Sequence, residues 1–208
     1  MSTRIDGVVL LDKPAGMSSQ GAVTAVKRAF NAEKAGHTGT LDPMATGLLP
    51  ICLGWATKYS QDLLEADKTY VAQVKFGSRT DTGDAEGNVI EELPLPFFEN
   101  ESALQTALDA VLSKFSGAIT QVPPMYSALE RDGKPPYEYA RAGVELERTP
   151  REITFHKIRW TNVRCPQATL EVSCSKSTYI RVLAEDIGNT LGVVLTWLAC
   201  CVEQKWGI

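Results

Sequence analysis

Apolar residues recur along this chain at the period of a strand in some segments and of a helix in others. Lys68 to Gly77 alternates, with Tyr70, Ala72, Val74 and Phe76 to one side and Val71, Gln73 and Lys75 to the other, which predicts a half-buried strand. Gly7 to Leu11 is a short apolar run before Asp12-Lys13-Pro14-Ala15-Gly16, and it predicts a buried strand followed by a turn. Helical spacing appears after Ser18 or Ser19, either of which could cap a helix to about Asn31 with Val23, Val26 and Phe30 on one face. It appears again after Asn100, where Leu104, Leu108, Val111, Leu112 and Phe115 form the longest apolar stripe. Ile153 to Trp160 and Leu170 to Ser175 predict two more strands, and a helix is expected from about Val182 to Leu191. Between these elements, Ser78 to Asn88 predicts a solvated hairpin loop. Its acids lack the spacing of a calcium loop.

The same pattern limits the class of protein. The longest nearly apolar stretches, Gly47 to Ala56 and Val193 to Val202, fall short of the roughly 18 residues of a membrane span, so none is expected. The first residues lack a basic-then-apolar leader, which predicts a cytoplasmic protein. The five cysteines are scattered and show no C-x-x-C spacing, so reduced, buried or partly buried thiols and no metal site are expected. With 208 residues, 44% hydrophobic, and no repeat, the chain reads as a single domain over 1–208 with a loop-rich insertion at about 123–151. Its 25 acidic and 21 basic residues leave a net charge of −4, so a polyanionic partner would need a local basic face.

Gly36-His37-Thr38-Gly39-Thr40-Leu41-Asp42-Pro43 fits neither period, and it presents one carboxylate from a loop crowded with Gly and Thr. Asp42 has two compatible readings, a catalytic carboxylate and a helix N-cap with Pro43 at the first helical position. Tyr179 and Arg181 would share one face if the extended chain continued through them, although spacing alone favours a surface salt bridge for Arg181. In the insertion, Arg131, Lys134, Arg141, Arg148 and Arg151 alternate with Tyr126, Tyr137 and Tyr139. Such a mixture suits phosphates and unstacked bases, and equally a solvated excursion.

Taken in order, Leu11-Asp12-Lys13-Pro14, the Asp42 loop, Lys68-Thr69-Tyr70, Pro123-Pro124-Met125-Tyr126-Ser127-Ala128-Leu129, Tyr139-Ala140-Arg141 and Ser175 to Arg181 resemble the bacterial TruB-type tRNA pseudouridine synthases. The resemblance implies a mixed α/β (α+β) catalytic domain on a large central sheet flanked by helices, with an RNA-binding insertion. It implies isomerisation of a specific uridine in the T loop of tRNA, with base flipping and with neither organic cofactor nor metal. By position, Asp42 resembles the catalytic aspartate, Tyr70 the tyrosine that stacks on the uracil, Arg181 the carboxylate's partner and Tyr179 a wall of the pocket. His37 resembles a residue that supports the T loop, and Lys13, Arg131, Lys134 and Arg141 are expected to bind RNA. A monomer acting on the tRNA T stem-loop, without an obligatory protein partner, is expected. The alternatives are an RNA-binding or tRNA-folding module with dispensable or lost catalysis, and a guide-RNA-dependent relative. Two departures stand out. Ser177 replaces a common glycine in what reads as a strand-like segment, and the residues after Gly192 differ from the usual pattern, so no C-terminal RNA-binding domain is expected.

Overall fold

The computed structural model describes residues 5–95, 98, 100–124 and 148–203. Ten strands and four α-helices are found among them: β1 (Gly7–Lys13), α1 (Ser19–Ala29), β2 (Ala35–His37), β3 (Thr46–Leu53), α2 (Ser60–Leu64), β4 (Lys68–Phe76), β5 (Ser78–Thr80), β6 (Val89–Glu92), α3 (Glu101–Leu112), β7 (Gly117–Gln121), β8 (Arg151–Arg164), β9 (Gln167–Cys174), α4 (Ile180–Leu191) and β10 (Leu195–Glu203). Eight strands form a mixed sheet in the order β1-β3-β10-β4-β9-β8-β7, with β2 paired to β3, while β5 and β6 form a separate hairpin. This is the expected mixed α/β class. The chain divides into two compact units, Met1–Val71 with Ala199–Ile208, and Ala72–Leu198.

In the first unit β1 and β2 run antiparallel to β3, and the end of β10 joins β3 in parallel through Cys201↔Thr46 and Val202↔Gly47. Gly47 has φ 97, and a Cβ there would collide with the Val202 backbone, so the close approach of β10 requires glycine. The cap of α1 is Ser18, whose side chain accepts from the Gly21 N–H. Ala22, Val23 and Val26 are buried, but Phe30 is the C-cap residue and lies exposed, because the helix stops before its stripe reaches that position. The Gly7 run is not a buried strand either. It lies at the end of the sheet order, and Val8 and Leu10 are exposed.

The second unit is built on the antiparallel β7-β8-β9 pairings. Ile153, Phe155, Leu170 and Val172 are buried there, as are Leu183, Ala184 and Ile187 of α4. Asn100 caps α3 by accepting from the Ala103 N–H, and Leu108, Val111, Leu112 and Phe115 are buried as the stripe predicts. On β4, Ala72, Val74 and Phe76 are buried and Gln73 is exposed, so the alternation holds from Ala72 on, whereas at the start of the strand Thr69 is buried and Tyr70 only half-buried. The strands β8 and β9 are longer than their apolar runs, because ladder pairing continues through polar positions as far as Arg164↔Gln167. None of the five cysteines is in a disulfide; Cys52, Cys174 and Cys200 are buried, Cys201 partly so, and Cys165, in the turn that joins β8 to β9, is exposed against expectation. No helix among the described residues is long and apolar enough to cross a membrane.

Candidate active site

The Asp42 loop belongs to the first unit and is tied down on both sides of the carboxylate. Before it, the Ser19 hydroxyl accepts from the Leu41 N–H at 2.8 Å, and that oxygen also lies 3.2 Å from the Leu41 carbonyl, within donating distance. After it, the Pro43 carbonyl accepts from the Gly16 N–H at 2.8 Å and from the Lys13 ammonium at 3.1 Å. Asp42 is half-buried between these anchors. Its own carbonyl accepts from the Ala45 N–H at 3.0 Å, closing a turn rather than opening a helix. The N-cap reading therefore fails: the turn delivers the chain into β3 with no helical N–H groups for Asp42 to satisfy.

Lys13 is 0% exposed, and its ammonium donates to the carbonyls of Pro14, Met17 and Pro43. Three carbonyls take the place of water around the charge, which makes burial tolerable and fixes the loop. The expected RNA contact by Lys13 is accordingly corrected to an internal brace. His37 is half-buried at the end of β2, and burial pushes its pKa below the ordinary value. Its Nδ1 accepts from the Gly39 N–H at 3.3 Å, which suits a neutral ring with the proton on Nε2. Tyr70 is half-buried on β4. A Cβ on Gly39 would sit 3.5 Å from the Lys68 side chain, so the loop passes close to the start of that strand.

In the second unit Tyr179 and Arg181 stand at a helix entrance instead of along an extended chain. Tyr179 is the N-cap of α4 and Arg181 lies within its first turn. The approach is pinned residue by residue: Ser175 exchanges bonds with the Thr154 backbone, and Thr178 donates to the Ser175 carbonyl at 2.8 Å. Ser177 adopts φ 63, so the position departs from the strand-like reading; it needs the left-handed conformation that glycine takes freely.

Arg181 is 8% exposed and forms a buried ion pair with Asp84, Nη1 to Oδ2 at 3.3 Å; the same Nη1 also donates to the Thr82 carbonyl at 3.3 Å. The surface salt bridge favoured by spacing is thus replaced by a desolvated one. Asp84 was not visible from the sequence, where it is one acid among several in a polar turn and its partner is 97 residues away. That turn is not simply a solvated loop. Asp84 is buried and its Oδ1 accepts from the Thr82 hydroxyl at 2.7 Å and the Glu86 N–H at 3.1 Å, so the turn is organised around one carboxylate. Arg131, Lys134 and Arg141 lie outside the described residues, and no group of three or more potential metal ligands occurs among those described.

The first unit thus presents one carboxylate on a pinned loop, and the second presents a phenol and a buried, paired guanidinium at a helix entrance. The model of the TruB family pseudouridylate synthase (N terminal domain) matches residues 27–180, and the chain belongs to that family. It is 58% identical over 188 residues to the tRNA pseudouridine synthase B of Azoarcus sp. (strain BH72), covering 90% of this chain and 61% of the relative. It is 57% identical over 190 residues to the protein of that name from Cupriavidus metallidurans, covering 90% and 59%. The chain thus spans about three fifths of the length of these relatives. Among solved structures, one of a Cbf5-Nop10-Gar1 complex superposes with a TM-score of 0.72 at 30% identity, over 95% of this chain and 48% of that one. Another, of an H/ACA RNP bound to a substrate RNA containing 2'-deoxyuridine, gives 0.67 at 28%, over 96% and 47%.

Proposed function

We propose that this chain isomerises a uridine in the T loop of tRNA to pseudouridine, with Asp42 as the catalytic carboxylate. The observation that carries the reading is the 56–58% identity to proteins named tRNA pseudouridine synthase B. In support, Asp42, Tyr70 and Tyr179 lie within the matched span and Arg181 one residue beyond it.

The target nucleotide must leave its stack, which costs a few kcal/mol, and the Tyr70 ring recovers roughly 1–3 kcal/mol by stacking on the uracil. Asp42 then acts as nucleophile toward sugar or base, or as the base that takes a proton. The N1–C1′ bond breaks, the uracil turns, C5 bonds to C1′, and the proton lost from C5 is balanced by the one that N1 gains. Product and substrate are isomers, so the step consumes no redox equivalent and no activated phosphate. Arg181, held by its pair with Asp84, supplies positive charge toward the Asp42 carboxylate, and Tyr179 contributes a wall of the uracil pocket. His37, neutral with Nε2–H free to donate, supports the T loop. Arg131, Lys134 and Arg141 of the 123–151 insertion bind phosphates. The enzyme works in the cytoplasm as a monomer on bare tRNA, without guide RNA or protein partner.

The test is to incubate the chain alone with unmodified tRNA transcript and map pseudouridine by carbodiimide adducts and reverse-transcription stops. A single new stop in the T loop is expected. Binding without any adduct would overturn the enzymatic reading in favour of an RNA-binding module.

A further inference from the structure

From the geometry at the end of β7 we infer that Gln121 is a positioning residue for the reaction, a two-point latch that sets the placement of Tyr179 and, through it, of Arg181. The inference rests on the function proposed above. Gln121 is the last residue of β7 and only 3% exposed. Its Oε1 accepts from the Tyr179 N–H at 2.8 Å and its Nε2 donates to the Tyr179 carbonyl at 3.1 Å. The side-chain amide thus pairs with both polar groups of one residue 58 positions away, as a neighbouring strand would.

Two bonds to one residue fix orientation as well as distance, whereas a single bond leaves rotation about it free. That matters here because Tyr179 is an N-cap without a side-chain cap bond. Its carbonyl also accepts from the Leu183 N–H at 3.2 Å, so the Gln121 amide and the first turn of α4 meet on one oxygen. Shifting that oxygen displaces the start of the helix, and Arg181 lies two residues further on. The Asp84 contact holds the far end of Arg181 while Gln121 holds the backbone two residues before it, at Tyr179. Position and aim of the guanidinium therefore depend on both. Gln121 also stands directly before the 123–151 insertion, so the strand that leads into the proposed RNA grip is bonded to the segment that carries two site residues.

The variant Gln121→Met keeps the side chain's length and removes both bonds, and Gln121→Glu keeps only the bond from the Tyr179 N–H. Single-turnover conversion of tRNA, tRNA affinity and amide hydrogen exchange are measured for each. The expected result for Gln121→Met is a fall in the conversion rate of roughly 10- to 100-fold, the size of effect that sub-ångström misplacement produces, with affinity within about threefold. The Tyr179 amide should exchange faster while those of β8 and β9 keep their protection, and Gln121→Glu should fall between wild type and Met. Wild-type conversion by Gln121→Met, or equal losses in rate, affinity and global protection, overturns the latch. If the wild-type chain makes no pseudouridine, the functional reading fails on its own. The latch then stands or falls on whether exchange at Tyr179 alone accelerates.

Discussion

Arg181 holds a full charge with 8% of its surface exposed, and such a charge is stable only beside its counter-ion. The Asp84 carboxylate provides that counter-ion, so the pair restrains the guanidinium more than it stabilises the fold. Conversion of Arg181→Lys should show this. Lysine keeps the charge but loses the planar fork, and conversion should drop roughly 10- to 100-fold while tRNA affinity changes by no more than about threefold. Equal losses in rate and affinity would contradict the assignment of Arg181 to the carboxylate's side of the chemistry. Little of this was legible in the sequence. Asp42, Tyr70 and Arg181 announced themselves by motif, whereas the partner of Arg181 and the burial of Lys13 depend on contacts between distant segments. Lys13 looks like any loop cation until three carbonyls are seen to close around it.

Among the elements, helices with polar caps and the alternating strand were readable because their signals are local. Ser18 and Asn100 accept the N–H groups that their side chains were expected to accept. The first strand was misjudged because an apolar run fits a strand buried on both faces and one exposed on a face equally well, and Val8 and Leu10 fall on the exposed face. The turn into α4 was misjudged because a left-handed residue leaves no mark in the sequence unless it is glycine. Ser177→Gly should relieve that conformation and raise unfolding stability in urea by about 0.5–1 kcal/mol, with activity intact. A lower stability would mean that the serine hydroxyl contributes more than the backbone loses.

On β8 and β9, Glu171 accepts from Arg159 at 2.6 Å and Lys157 at 3.0 Å, which holds its carboxyl at about 2, below the ordinary 4.5. A depressed carboxyl stabilises the fold above the unfolded-state value, and that contribution disappears as pH falls from about 4.5 toward 2. Glu171→Gln should therefore flatten the acid limb of the stability profile in that window. At neutral pH it should cost no more than about 1 kcal/mol per exposed ion pair. An unchanged acid limb would contradict this role.

For the whole molecule, composition excluded more than it identified. A net charge of −4 gives no hint of an RNA substrate, and a basic insertion must be inferred from order and motif. The mixed sheet and the family were legible because several short stretches occur in one order, each weak alone. Membership in the TruB family is carried by the match over residues 27–180, while the chemistry proposed here reduces to one carboxylate on a braced loop. The most direct measurement is tritium release from tRNA labelled at C5 of uridine, comparing the wild-type chain with Asp42→Asn, alongside tRNA binding by both. Release by the wild type and none by Asp42→Asn, with affinity preserved, is the predicted result; release that survives the substitution would contradict Asp42 as the catalytic group.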